Sequence, residues 1–127
     1  MVLHEASENY LEAILILSEK QEKVRSIDVC HFFGHAKSTV SVAMKKLKEN
    51  DYIRMDEDGY IELTQKGRQL AEKIYERHVI VAKLFMQLGV EEKTAFEDSC
   101  RIEHDISEET FLALKNLYLQ GLEKEER

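Results

Sequence analysis

Ser26-Ile-Asp-Val-Cys-His-Phe-Phe-Gly34, then Lys37-Ser-Thr-Val-Ser-Val-Ala-Met-Lys-Lys-Leu-Lys-Glu-Asn50, then Tyr52-Ile-Arg-Met-Asp56-Glu-Asp-Gly59-Tyr-Ile-Glu-Leu63 is the stretch that decides the fold. Apolar side chains recur at helical spacing through the first two segments: Ile27, Val29, Cys30 and Phe33, then Val40, Ala43, Met44 and Leu47. Ser26 is placed to cap the first helix, and Gly34 to supply the turn between the two. Ser38, Ser41, Lys45 and Lys48 fall largely on the outward face of the second helix. In the third segment two β-prone runs flank an Asp-Gly pair, the pattern of a hairpin. Two short helices, a glycine turn and a hairpin in this order predict a winged helix-turn-helix.

Working outward, Glu5 to Lys20 reads as a helix with Tyr10, Leu11, Ile14, Leu15 and Leu17 on its apolar side. Downstream, Thr64 is placed to cap a long helix reaching about Leu88, with Leu70, Ile74, His78, Val81, Leu84, Phe85 and Leu88 for its buried faces. Gly67 sits in its first turn, where glycine is expected to do limited harm, and Gly89 ends it. A further helix is predicted from about Glu91 to His104. Ser107 opens a last one carrying Phe111, Leu112, Leu114, Leu117, Tyr118 and Leu122, with Gly121 and the charged end Glu123 to Arg127 expected to fray. The 127 residues contain no proline, which suits a mainly α chain. The expected organisation is a winged helix-turn-helix with a small β-hairpin wing over residues 1–64 and a helical domain over 65–127.

A net charge of −7 argues mildly against nucleic-acid binding, but its distribution reverses that argument. Between Lys23 and Asn50, Lys23, Arg25, Lys37, Lys45, Lys46 and Lys48 face only Asp28 and Glu49. Lys37, Ser38, Thr39, Ser41 and Lys45 can reach phosphates and groove edges from the second helix, and Val42 can meet a thymine methyl. A plain solvated helix face would also carry such lysines. Arg54 is the one obvious cation of the hairpin, whose acidic tip, Asp56 to Asp58, should be repelled by phosphate. No apolar run is long enough to span a bilayer, and the first residues lack a signal-peptide pattern, so the expected location is the cytoplasm. There Cys30 and Cys100 are expected as free thiols.

Cys100-Arg-Ile-Glu103-His104 carries the second line of inference. On a helix these positions share one face, so a thiol, a carboxylate and an imidazole converge as most of a transition-metal shell. The same spacing also suits a solvated helix with a buried cysteine. Asn9 and Glu12, one turn apart, can likewise point together. His78 read by itself is a satisfied histidine near a helix interface.

These features together resemble the diphtheria toxin repressor family. The marks are Glu8-Asn-Tyr-Leu-Glu12, Ser38-Thr-Val-Ser41, Leu63-Thr-Gln-Lys-Gly67, Arg77-His78 and Cys100-Arg-Ile-Glu-His-Asp-Ile-Ser107, in that order along the chain. The resemblance implies a metal held by Asn9, Glu12, His78, Cys100, Glu103 and His104, with residues 5–20 contributing to the site from the N-terminal side. The length matches the shorter manganese transport regulators, without the SH3-like domain of longer iron-dependent members. Two positions depart from the manganese branch, which usually has Asp at position 9 and Glu at position 100. The iron branch has Met at the first and Cys at the second. An ancillary site of the iron branch falls on Ala82 and Phe96 here and is expected to be lost. A neutral amide and a soft thiolate disfavour Mn²⁺ relative to Fe²⁺, Co²⁺ or Zn²⁺.

The resulting expectation is a homodimeric, metal-dependent transcriptional repressor acting on double-stranded operator DNA. Its dimer contacts would come from Phe85, Leu88, Phe111, Leu114 and Tyr118. One alternative is a winged-helix regulator responding to a non-metal ligand. A metallohydrolase using Glu103 as a base lacks support, since the sequence has no His-Glu-x-x-His motif.

Overall fold

The computed structural model describes residues 5–126, and the side chains of residues 6–122. Its elements are α1 (Glu5–Lys20), β1 (Val24–Arg25), α2 (Ser26–Phe33), α3 (Lys37–Glu49), β2 (Ile53–Met55), β3 (Tyr60–Leu63), α4 (Gln65–Gln87), α5 (Glu92–Ile102) and α6 (Glu108–Glu126). The chain is mainly helical, with one small sheet in the order β1-β3-β2. None of the described helices is long and apolar enough to cross a membrane. The chain divides inside α4 into two compact units, Met1–Lys73 and Ile74–Arg127. The first two turns of α4 belong to the N-terminal unit because Leu70 and Ala71 pack into its core.

That core is built from the predicted apolar stripes. Leu11 and Ile14 of α1, Val29 of α2, and Val40, Met44 and Leu47 of α3 are at most 1 % exposed. Burying each of the larger side chains contributes about 1.5–3 kcal/mol. Gly34 ends α2 in the left-handed region at φ 72°, and its N–H bonds the Cys30 carbonyl at 2.7 Å. The cap at the other end of α2 differs from the expectation. Ser26 is already helical, and the Asp28 carboxylate accepts the Arg25 backbone N–H at 2.8 Å. A carboxylate in the first turn thus satisfies the N-cap N–H, the reciprocal half of a capping box, in place of a serine cap.

The sheet also exceeds the predicted hairpin. In β1, Val24 pairs with Ile61 and Arg25 with Tyr60, adding a third strand. In the wing, Asp56 is not merely an acidic tip residue: its Oδ1 accepts the N–H groups of Asp58 and Tyr60, both at 2.9 Å. Thr64 caps α4 as expected, its Oγ1 accepting the Gly67 N–H at 3.0 Å. It also donates to the Asp51 carbonyl at 2.7 Å, which ties the helix start to the loop before β2.

In the C-terminal unit Ile74, Val81, Ala82, Leu84, Ala95 and Phe111 are buried. Ser107 caps α6 by accepting the Thr110 N–H at 3.1 Å. The backbone stays helical through Gly121 to Glu126, where fraying was expected, while Arg127 lies outside the described residues. α5 stops at Ile102 rather than near His104, with Glu103 as its C-cap.

Candidate metal centre and nucleic-acid interface

His78 comes from the middle of α4, and its ring is held by α5. Nε2 lies 3.1 Å from the Phe96 carbonyl oxygen, and the rings of His78 and Phe96 meet edge-on at 5.5 Å. A carbonyl can only accept, so Nε2 must carry the proton in the neutral imidazole. Nδ1 is then the nitrogen with a lone pair for a metal, oriented as metal-binding histidines are by a carbonyl behind the ring. The Ser99 hydroxyl, buried on α5, donates to the carbonyl of His78 itself.

Glu103 and His104 are brought together, His104 Nε2 lying 3.3 Å from Glu103 Oε1. Their side chains are 1 % and 4 % exposed respectively. As the C-cap, Glu103 keeps helical dihedrals (φ −58°, ψ −28°), so its i, i+3 relation to Cys100 survives the end of α5. His104 stands in the turn that follows. Arg77 steadies this turn by donating to the Glu103 carbonyl at 3.1 Å while pairing with Glu108 at 2.8 Å. Cys100 is a half-buried free thiol, and Cys30 a buried one.

In the N-terminal unit, Asn9 and Glu12 stand on α1, half-buried and 5 % exposed respectively. A carboxylate that deep must be matched by positive charge or hydrogen bonds. Imidazole nitrogens and buried carboxylate oxygens fit a divalent first-row metal ion, and the donor chemistry of His78, Glu103, His104 and Glu12 is of that kind. At the two positions where the sequence reading expects no ancillary site, Ala82 is a buried core residue and Phe96 offers its ring and carbonyl to His78.

The DNA candidates on α3, Lys37, Ser38, Thr39, Ser41, Val42 and Lys45, are all exposed. Val42 is 70 % exposed on a helix whose opposite face buries Val40, Met44 and Leu47. A bare valine there suits a base methyl better than it suits water. Arg54 is exposed on β2, opposite Glu62 of β3. Sequence reasoning missed two further cations of the sheet. The Arg25 guanidinium lies 4.3 Å over the Tyr60 ring and the Lys23 ammonium 4.5 Å over it. A groove of about 350 Å³ is lined by Arg25 and Ser26 together with Lys37 and Ser41. Lys23 and Arg25 were visible in the sequence as charges, but a two-residue strand has no periodicity to place them.

Residues 2–59 match the N-terminal DNA-binding domain of iron-dependent repressors, and residues 64–121 match their metal-binding and dimerisation domain. An HTH-type transcriptional regulator of Methanocaldococcus jannaschii is 33% identical over 116 residues, covering 89% of this chain and 92% of that protein. The transcriptional regulator MntR of Escherichia coli is 32% identical over 111 residues, covering 87% of this chain and 72% of that one. The structure of the manganese regulator SloR superposes with a TM-score of 0.78 at 27% identity, covering 92% of this chain and 54% of that one, so this chain spans about half of its length. The chain belongs to the iron-dependent (diphtheria toxin) repressor family, and it is a metal-dependent, DNA-binding transcriptional regulator rather than an enzyme.

Proposed function

We propose that this chain is a homodimeric repressor of metal-ion homeostasis genes, acting in the cytoplasm, whose operator affinity is raised by one divalent transition metal ion. The observation that carries the reading is the buried Glu103–His104 pair beside a turn pinned by Arg77, with His78 held in a single tautomer. Glu12, His78 and Glu103 form the core of the proposed ligand set, with His104, Cys100 and Asn9 completing or tuning it. When bound, the ion supplies positive charge that neutralises buried carboxylates and links donors from different helices. The protein's own part is to orient those donors before binding: Phe96 sets the His78 ring and Arg77 sets the Glu103 backbone. Residues 1–64 then act as the DNA-binding domain and residues 65–127 as the metal-binding and dimerisation domain. Leu88, Leu112, Leu117 and Leu119, 75 %, 47 %, 55 % and 44 % exposed, supply apolar surface for the second protomer. Phe111, at 4 % exposure, belongs to the protomer's own core. Equilibrium dialysis with Mn²⁺, Fe²⁺, Co²⁺ and Zn²⁺, followed by DNA-binding titrations with each ion, tests the reading. A chain that binds none of them, or binds DNA equally with and without them, overturns it.

Metal choice is the next expected result. Cys100→Glu replaces a soft sulfur by a hard anionic oxygen, and Asn9→Asp replaces a neutral oxygen by an anionic one. Both should move the rank order of activating metals toward Mn²⁺, the double variant furthest. An unchanged order in activation of DNA binding would show that these positions do not set selectivity.

On the DNA face, Lys45→Ala should weaken binding to all sequences and lower the salt slope by about one per subunit. Lys23→Ala and Arg25→Ala should do likewise if the sheet root meets phosphate. Glu57→Gln with Asp58→Asn should strengthen nonspecific binding by removing repulsion. Asp56→Ala should not, because it releases the turn that Asp56 holds. Salt-dependent titrations on random duplex separate these outcomes, and a gain in affinity for Asp56→Ala would contradict its assigned role.

A further inference from the structure

Tyr10 lies on α1 between Asn9 and Glu12, the two ligands that the proposed function draws from this helix. Its ring is buried, 5 % exposed, yet its hydroxyl is bonded at 2.6 Å to Nδ1 of His35, an exposed residue. His35 belongs to the turn between α2 and α3, two residues before the recognition helix begins at Lys37. The imidazole is stacked on Phe33 at 5.1 Å and 13°, and Tyr10 meets Phe33 edge-on at 5.1 Å and 81°. Ala36, the N-cap of α3, offers no side-chain cap. The turn is therefore attached to α1 through one aromatic group with a short polar contact at its centre.

We infer that the Tyr10–His35 hydrogen bond is a positioning contact that passes the state of the metal-binding helix to the start of the recognition helix. The inference rests on the metal-activated repressor reading. Asn9 and Glu12 flank Tyr10 in the chain, so a rotation or shift of α1 on engaging its ligands displaces the phenol oxygen with it. A bond of 2.6 Å tolerates displacements of only a few tenths of an ångström before weakening. Its stacked imidazole partner is covalently close to Lys37, Ser38 and Thr39. The bonded arrangement fixes where α3 begins, and the broken one releases it. Operator and metal are the two ligands whose affinities are linked by this element.

The test is a coupling measurement on the full chain, using the best activating ion and a duplex selected from a random pool by the metal-loaded protein. Tyr10→Phe keeps the ring and removes the hydroxyl. By removing a bond that metal engagement must weaken, it should raise metal affinity without DNA by about threefold to tenfold, one hydrogen bond's worth, and lower the metal-induced gain in DNA affinity by a similar factor. The gain in metal affinity caused by DNA should fall by the same factor. His35→Phe should match it, the double variant should be no worse than either single, and His35→Gln, which keeps an acceptor, should retain more coupling than His35→Phe. In the metal-free chain, the Val40 amide, bonded to the Ala36 carbonyl at 3.1 Å, should exchange faster in Tyr10→Phe. Unchanged coupling in Tyr10→Phe, or additive losses in the double variant, overturn the inference while leaving the repressor reading intact. A wild-type chain with no metal response overturns both.

Discussion

Glu103→Gln should abolish metal-activated DNA binding while leaving the metal-free chain as stable as the wild type, or slightly more so. The substitution keeps the volume of a side chain that is 1 % exposed and removes a charge whose burial is costly. Two readings of the Glu103–His104 pair then separate. If the pair is only a structural ion pair, losing one partner should destabilise the metal-free protein by about 3–5 kcal/mol. If the carboxylate is a metal ligand, the loss appears only when metal is added. Wild type in metal at 100 times its Kd should gain about 2.7 kcal/mol, and the variant should gain almost none. Thermal melts with and without metal, paired with operator titrations, decide the matter. His78→Ala should likewise abolish the metal response, but it should also lower metal-free stability, because it loses the hydrogen bond and ring contact to Phe96. Removing that hydrogen bond alone would be milder: outer partners of a metal-binding histidine are worth about 10–100-fold in affinity. A destabilised metal-free Glu103→Gln chain with an intact metal response would refute the assignment.

Gly67→Ala is expected to damage the N-terminal unit severely. A Cβ at position 67 would stand 1.9 Å from the Tyr52 carbonyl oxygen and 2.9 Å from its carbon. Both are backbone atoms, so no rotamer change relieves the clash. The Tyr52 carbonyl is also fixed, since it accepts the Thr64 N–H at 3.1 Å, and Thr64 is bonded in turn to Asp51 and Gly67. Either α4 must move off the loop or that capping set must break. We expect a cost of about 3 kcal/mol or more, at the upper end for overpacked sites. For a unit of this size that is a fall in Tm of roughly 10 °C or more. A variant melting within about 2 °C of wild type would show that the α4 start adjusts freely. This reverses the expectation drawn from the sequence, where a glycine in the first turn of a helix had only a propensity cost.

The contrast between those two positions shows what could be read along the chain. Glu103 and His104 were legible as candidate ligands because that reading rests on their own chemistry and close spacing. Gly67 was not, because its necessity comes from Tyr52, a residue brought against it only by folding. The same division holds for Asp56, whose charge was evident while its two hydrogen bonds to Asp58 and Tyr60 depend on the hairpin's closure.

By itself the sequence determined the order and type of the long elements. The apolar stripes of α1, α3 and α4, the Gly34 turn, the Thr64 and Ser107 caps and the Asp-Gly hairpin are all periodicities or local bonds spanning a few residues. It also supplied the candidate ligands and the exposed recognition face. Only the tertiary structure decided the third strand, the end of α5 at Ile102, the division of α4 between two units, and the His78 nitrogen that faces the Phe96 carbonyl. Each of these depends on partners far away in the chain: Arg25 on Tyr60, the inner half of α4 on the N-terminal core, and His78 on Phe96. Local patterns are set by the residues that carry them. A hydrogen bond or a steric clash between distant segments exists only once the backbone has brought them together, and at those places the chemistry of the site was decided.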